Sequence, residues 1–301
     1  MQYRDFEEAR DGFTGHLAAP DGDHDRAVLI FTGGEKGMLP GIRIAESFAD
    51  AGICGIAVSL FGAPGLPAGA DQIPLEYAES AVNWVRKQGR YKVIAAYGMS
   101  MGTIFALLAA RYFPEIDKLI LCAPTHVAFE GSADKKHMSG HSVATYCGAD
   151  IPFVPLRLGD YKPGRYYDDE RASLPVTGMW RSFRDAYDCK EREAQAALPV
   201  EGVRAEVLIA AGTADEAWDS AYSAQYLAER MQKNGKTNFR LRLFPDAGHL
   251  IGMMPSKERY PGTYRMMPLI AAMYRRLKDH KEDSLAALDS IQQEMIGFLL
   301  A

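Results

Sequence analysis

Ser100 stands at the centre of Gly98-Met99-Ser100-Met101-Gly102, a G-x-S-x-G pentapeptide. An apolar run, Val93-Ile94-Ala95-Ala96-Tyr97, precedes it, and a second, Thr103-Ile104-Phe105-Ala106-Leu107-Leu108-Ala109-Ala110, follows. A strand turning sharply into a helix lifts a serine hydroxyl above a sheet, and small flanking residues let strand and helix pass closely. The amide of Met101 then lies at a helix N-terminus, where unpaired N–H groups favour negative charge. A serine hydroxyl attacks carbonyls only if a base takes its proton. The chain supplies candidates for base and acid downstream. Asp215 ends Gly212-Thr213-Ala214-Asp215, just past the apolar run Val207-Leu208-Ile209-Ala210-Ala211. His249 ends Asp246-Ala247-Gly248-His249, just past Phe239-Arg240-Leu241-Arg242-Leu243-Phe244. Histidine titrates in the range this task needs, and a buried carboxylate fixes the imidazole tautomer and stabilises the imidazolium.

The order Ser100, Asp215, His249 is that of the α/β-hydrolase triad, not the orders of the two best-known serine protease folds. Each member has a rival reading. Asp215 could be a turn residue, with Glu216 or Asp219 as the acid, but Asp215 lies nearest the strand end, where α/β sites collect. His126, after Leu119-Ile120-Leu121-Cys122, is the rival histidine, and it precedes the acid. The loop Gly33-Gly34-Glu35-Lys36-Gly37 could cradle a phosphate, yet it lacks the Walker Lys-Ser/Thr pair and the G-x-G-x-x-G spacing. It reads better as half of an oxyanion hole, with the amides of Gly34 and Met101 as donors and Glu35 as the alternative to Gly34.

Positioning these residues requires a sheet whose strands end at one edge. Residues 3 to 18 read as a β-hairpin turning at Asp11-Gly12. A βα alternation follows, which implies a mostly parallel sheet with helices on both faces. Its expected parts are a strand Ala27 to Thr32, a helix near Gly41 to Ala51 and a strand Ile53 to Leu60. A Gly/Pro-rich loop over 62–69 and a helix from about Pro74 to Gln88, with Pro74 in its first turn, come next. The Ser100 strand and helix and a strand Asp117 to Cys122 complete this half. From about Pro124 to Gly202 periodicity fails, and the segment reads as a lid or substrate-shaping insertion. An inert surface excursion and a dimer contact are the alternatives, so a homodimer stays open. Its aromatics, Phe153, Tyr161, Tyr166, Tyr167, Trp180, Phe183 and Tyr187, could line an acyl pocket or pack the insertion itself. After the acid strand, a helix over Asp219 to Gln232 stops at Asn234-Gly235. A final helix, Ser284 to Leu300, carries Leu285, Leu288, Ile291, Met295 and Leu299 as a core stripe.

Composition bounds the rest. Of 301 residues, 48% are hydrophobic and 24% charged, which is ordinary for a globular chain. A net charge of −5 gives no basic excess for nucleic acid or anionic membrane. The basic stretch Arg275 to Lys281 is broken by acids and reads as a solvated helix face. Cys54 and Cys122 fall in strands and read as buried small hydrophobes, and no C-x-x-C pair suggests zinc or redox chemistry. His137 and His141 lie four apart but in a poor helix without a zincin glutamate, so no metal is expected. The N-terminus is polar, with no signal peptide, and no run approaches the roughly 18 apolar residues of a membrane span. A cytoplasmic protein without cofactor is expected.

Several stretches resemble the C-terminal domain shared by acyl-CoA thioester hydrolases and bile acid-CoA:amino acid N-acyltransferase, close to the dienelactone hydrolase group. They are Phe31-Thr32-Gly33-Gly34, Leu60-Phe61-Gly62, Pro74-Leu75-Glu76-Tyr77, Leu198-Pro199-Val200-Glu201, Asp215 followed by Trp218, and Pro245-Asp246-Ala247-Gly248-His249. The likeness spans roughly residues 25 to 300 and implies an α/β-hydrolase fold, a pre-acid insertion, and Ser100, Asp215 and His249 as its site. Thioesterases of the family usually carry an immunoglobulin-like domain ahead of the hydrolase domain; here a short segment precedes Ala27. The transferase branch uses a cysteine nucleophile where this chain has Ser100, which favours hydrolysis. The expectation is therefore one α/β-hydrolase domain over 1–301, with 124–202 as the lid. It would cleave a small-molecule carboxylic ester or thioester through an acyl-enzyme on Ser100. An acyltransferase, or a binding protein that kept the fold, is the alternative.

Overall fold

The computed structural model describes residues 1–34, 37–134, 137–172, 175–252, 259–261 and 281–301. Strands β1 (Gln2–Phe6) and β2 (Gly15–Ala19) pair antiparallel from Gln2 against Ala19 to Phe6 against Gly15. The expected hairpin is present, but its turn is longer: one helical turn, α1 (Glu8–Asp11), fills it and closes on Gly12 at φ 78°. Then come β3 (Arg26–Phe31), α2 (Leu39–Asp50), β4 (Cys54–Val58), β5 (Ile73–Pro74) and α3 (Glu76–Lys87). Pro74 is thus the end of a short strand and not part of the helix. The fixed φ of proline suits either place, and pairing of β5 with the insertion decides it. β6 (Val93–Met99), α4 (Gly102–Tyr112) and β7 (Lys118–Cys122) match the expected strand, helix and strand.

Among the described residues, six strands of two or three residues lie between β7 and the acid strand: β8 (Ala128–Phe129), β9 (Ala144–Tyr146), β10 (Ala149–Asp150), β11 (Phe153–Val154), β12 (Tyr166–Tyr167) and β13 (Val176–Thr177). Two helices follow, α5 (Gly178–Ala186) and α6 (Lys190–Ala196). The strands form three small sheets, β10-β9-β5, β11-β8 and β12-β13. Arg171 braces this segment, reaching Asp169 at 2.6 Å and Asp185 at 2.7 Å. The chain then returns through β14 (Glu206–Gly212), α7 (Ser220–Lys233) and β15 (Phe239–Phe244) and ends in α8 (Lys281–Leu300). The basic stretch Arg275 to Lys281 lies outside the described residues except for Lys281.

Among the described residues one eight-stranded sheet runs β1-β2-β4-β3-β6-β7-β14-β15. All its pairings from β4 to β15 are parallel. Successive side chains of a strand face opposite ways, and the core divides accordingly. Leu29 and Phe31 pack with Val82 of α3, Leu107 of α4 and Leu227 of α7. Val28 and Ile30 pack with Ile44 and Phe48 of α2 and Ile291 and Phe298 of α8. The stripe on α8 is core as expected, except that Leu285 is only half-buried. Arg26 and Lys118 hold the end of α8: Arg26 Nε donates to Leu299 O at 2.9 Å and Lys118 Nζ to Phe298 O at 2.7 Å. Cations at a helix C-terminus satisfy carbonyls that lack a helical partner. The thiols of Cys54 and Cys122 are buried, and burial pushes them up to about 11 and about 12.

The glycines around Ser100 are required by proximity. A Cβ on Gly102 would lie 2.1 Å from the carbonyl oxygen of Phe31 in β3. One on Gly98 would lie 2.6 Å from Thr103 Cα. These atoms are backbone and cannot move aside as a side chain does. Gly102→Ala is therefore expected to destabilise the fold by about 3 kcal/mol. The check is the urea denaturation midpoint; an unchanged midpoint would refute this close passage.

Candidate active site

Ser100 occupies the turn between β6 and α4 at φ 56°, a left-handed conformation that serine rarely adopts. Three hydrogen bonds hold it there. Its N–H donates to Cys122 O in β7 at 3.0 Å. Its carbonyl accepts from Thr103 N at 3.0 Å and from Thr103 Oγ1 at 2.6 Å. Thr103 was not singled out in the sequence, although a threonine in the first turn of a helix commonly bonds back to a carbonyl three residues earlier.

Asp215 and His249 reach Ser100 from the ends of β14 and β15. The two strand ends are tied together: Asp246 N donates to Thr213 Oγ1 at 3.1 Å, and Ala214 N to Ala247 O at 3.0 Å. A Cβ on Gly212 would lie 2.0 Å from Ala247 O, so only glycine allows this approach. Beyond the histidine, Tyr97 Oη donates to Gly252 O at 2.6 Å, pinning the loop on β6. The result is a chain of three polar side chains. His249 Nε2 lies 2.8 Å from Ser100 Oγ, and His249 Nδ1 lies 2.8 Å from Asp215 Oδ2. The carboxylate only accepts, so Nδ1 carries the proton and Nε2 is left to accept from the serine. Asp215 Oδ1 also accepts from Ala217 N at 2.8 Å and Trp218 N at 3.3 Å. All three residues are less than a tenth exposed.

The rival acids are committed elsewhere. Glu216 receives Tyr166 Oη of β12 on its carboxylate. Asp219 caps α7, accepting from Tyr222 N at 3.1 Å, and its burial raises its pKa. The oxyanion candidates are placed unequally. Met101 heads α4 at φ −54°, and Gly34 follows β3, whereas Glu35 lies outside the described residues. His137 pairs with Asp134 at 2.7 Å and His141 with Asp150 at 3.0 Å. Among the described residues, no group of three or more His, Cys, Asp and Glu is placed to hold a metal. No described helix is long and apolar enough to cross a membrane. A cleft of about 940 Å³ in the insertion is lined by four arginines but six acidic residues, a poor receptor for phosphates.

His126, the rival histidine, is wholly buried in a chain of the same composition. Its Nδ1 lies 2.9 Å from Ser223 Oγ and its Nε2 3.0 Å from Glu193 Oε1. Ser223 and Glu193 are buried as well, so no substrate reaches this serine. Glu193 further accepts from Tyr222 Oη at 2.7 Å and Lys190 Nζ at 2.8 Å. The network joins α6, α7 and the segment after β7. Burial alone would raise Glu193, but the hydrogen bonds from His126, Lys190 and Tyr222 outweigh it and bring it to about 2. Burial holds His126 below its ordinary value and so neutral, with Glu193 opposing.

Both shifts are downward, so both stabilise the fold at neutral pH and fail in acid. The contribution of His126 is complete above about 6.5, where the unfolded histidine is neutral, and declines as the pH falls toward its folded value. That of Glu193 is lost between its unfolded value and about 2. Stability of the wild type should fall by about 1 kcal/mol per pH unit below pH 6. His126→Gln, which does not titrate, should flatten this slope in urea titrations at pH 5 to 7. An equal slope in the variant would show that other groups carry the acid sensitivity.

Comparison with known proteins agrees with the fold. The family model described as BAAT / acyl-CoA thioester hydrolase C terminal matches residues 73–259. The mouse (Mus musculus) acyl-coenzyme A amino acid N-acyltransferase 2 is 26% identical over 244 residues, covering 79% of this chain and 52% of that protein. Human (Homo sapiens) acyl-coenzyme A thioesterase 6 is 25% identical over 239 residues, covering 77% of this chain and 50% of that one. The chain thus spans about half the length of these relatives. Among solved structures, the Pyrobaculum calidifontis esterase superposes with a TM-score of 0.56 at 16% identity, covering 100% of this chain and 86% of its own. Dienelactone hydrolase from Anabaena variabilis gives 0.50 at 14% identity, covering 99% and 97%. The fold is that of the α/β hydrolases, and the chain belongs to the BAAT / acyl-CoA thioester hydrolase C-terminal family.

Proposed function

We propose that this protein hydrolyses a carboxylic ester or thioester of the acyl-CoA kind through an acyl-enzyme on Ser100. The observation that carries the reading is the Ser100–His249–Asp215 hydrogen-bond chain, built on a serine held in a left-handed turn. Ser100 Oγ attacks the acyl carbonyl carbon while His249 Nε2 takes its proton. The carbon's bond to the leaving oxygen or sulfur breaks, and His249 returns the proton to it. Water then attacks the acyl carbon, passes a proton to Nε2 and releases the acid as Ser100 regains its hydrogen. Asp215 keeps the proton on Nδ1 throughout and stabilises the imidazolium. The amides of Gly34 and Met101 are the donors for the negative oxygen of each tetrahedral intermediate, with Glu35 in place of Gly34 as the alternative. Residues 124–202 act as the lid of a single hydrolase unit; Tyr166 and Thr177 of that segment both bond to Glu216, beside the acid.

Acyl transfer to an amine is the second reading, favoured by the N-acyltransferase among the relatives. A serine acyl-enzyme is normally resolved by water, which keeps hydrolysis first. A binding protein that kept the fold is the remaining alternative, and the contact among all three members argues against it.

A fluorophosphonate probe should label the wild type and not Ser100→Ala. On aryl esters and acyl-CoAs of graded length, Ser100→Ala should lower kcat by about 10⁶-fold and Asp215→Asn by about 10⁴-fold. Activity kept by Ser100→Ala would refute the assignment. Faster release of N-acylglycine than of free acid, with glycine present, would favour transfer.

A further inference from the structure

Ser100 and Ala123 stand side by side at the ends of β6 and β7, and both are left-handed: φ is 56° at Ser100 and 47° at Ala123. Alanine, like serine, keeps such a backbone only where its surroundings impose it. Residues 123–127 form the turn after β7, and the Ser100 turn rests on it. Ser100 N–H donates to Cys122 O, where this turn begins. Thr125 N–H donates to Thr103 Oγ1 at 3.3 Å, and the same hydroxyl donates to Ser100 O at 2.6 Å. Pro124 O accepts from Trp218 Nε1 at 3.0 Å. That indole meets the His249 ring edge to face, with centroids 4.9 Å apart and planes at 81°. Cys122, Pro124 and Thr125 thus each touch a group that borders the nucleophile or its base.

His126 joins this turn to α6 and α7. Its Nε2 meets Glu193 of α6 at 3.0 Å and its Nδ1 meets Ser223 of α7 at 2.9 Å. The carboxylate only accepts, so Nε2 carries the proton and Nδ1 accepts from the Ser223 hydroxyl. The rings of Tyr187, Tyr222 and Tyr226 lie 4.6, 5.4 and 4.4 Å from the imidazole. Leu198 N–H, just past α6, donates to His126 O at 2.8 Å. A buried residue held at two ring nitrogens and its carbonyl has little freedom in φ and ψ, and neither has the turn that contains it. Removing Glu193, which belongs to the insertion, strips Nε2–H of its acceptor in a wholly buried site, where the loss is costly.

We infer that His126 is a positioning residue for the nucleophile: seated by Glu193 of α6, it fixes the turn after β7 and, through Thr125 and Thr103, the left-handed backbone of Ser100. Ser100 is set for attack only while α6 is in place, so the insertion is a condition of turnover and not only a cover. The inference rests on the hydrolase reading above. A residue that merely stabilised the fold would speed hydrogen exchange at every core amide alike and would act independently of Thr103.

The test uses the full chain, with turnover of p-nitrophenyl acetate per folded molecule and amide hydrogen exchange by NMR. Glu193→Ala should lower kcat by about tenfold and leave KM within about twofold. Its Ser100 and Thr103 amides should exchange about tenfold faster relative to those of Leu29 and Phe31 in β3. Glu193→Gln, which keeps an acceptor for Nε2–H, should stay within about twofold of the wild-type kcat. Thr103→Val cuts the route at the shared hydroxyl. It should lower kcat by about tenfold, and adding Glu193→Ala should lower it by no more than about twofold further. If Glu193→Ala fails to fold, Ser223→Ala, which leaves Nδ1 without its donor, takes its place with the same expected pattern. Full multiplication of the two effects, a folded variant with wild-type kcat, or an unchanged exchange ratio overturns the proposal. A wild type that neither turns over nor labels with a fluorophosphonate refutes the hydrolase reading, and the exchange ratios still judge the hold of His126 on Ser100.

Discussion

The left-handed backbone at Ser100 is the constraint on which the rest of the structure depends. A serine at φ 56° is held in a conformation costing about 1 to 2 kcal/mol. It persists because neighbours over-determine it: β7 accepts its N–H, and Thr103 donates twice to its carbonyl. The same turn forces α4 against β3, so that Gly102 has no room for a Cβ. It also directs Oγ toward the carboxyl ends of the parallel strands, where β14 and β15 deliver the acid and the base. A relaxed turn at this residue would point the hydroxyl elsewhere and leave Asp215 and His249 as a hydrogen-bonded pair without a nucleophile.

Two serine–histidine–carboxylate chains in one molecule show what decides between chemistry and support. The His126 chain has the ring reversed, with the carboxylate on Nε2 and the serine on Nδ1. It is sealed among Tyr187, Tyr222 and Tyr226, and no substrate could meet Ser223. Its carboxylate is saturated by donors from α6 and α7, as a buried charge must be. The Ser100 chain lies instead at a helix N-terminus and beside an insertion, with part of its surface still reaching solvent. Composition of the chain is the same; position in the fold is not.

The central βα units and the site were legible because each strand is an apolar run and each site residue follows one directly. Asp215 and His249 needed no long-range information beyond that rule. What sequence did not disclose depends on contacts between distant segments. Pro74 ends a strand because β9, about seventy residues later, pairs with β5. The six strands of the insertion are two or three residues long, too short for alternation to register. Glu216 meets Tyr166 and Thr177 by tertiary contact alone. Trp218 entered only as part of a family likeness, and nothing in its spacing signalled a ring against His249. The aromatics of the insertion proved to be partly its own core: Trp180, Phe183 and Tyr187 are buried, while Tyr161 and Tyr167 meet edge to face.

The most direct test of the central claim is rapid-quench mass spectrometry of the wild type mixed with a good acyl ester. The expected result is an intact-mass increase equal to one acyl group within the first turnover, mapped to the peptide that carries Ser100. Turnover with no covalent adduct, or an adduct on another residue, would contradict the acyl-enzyme and the role assigned to the left-handed serine.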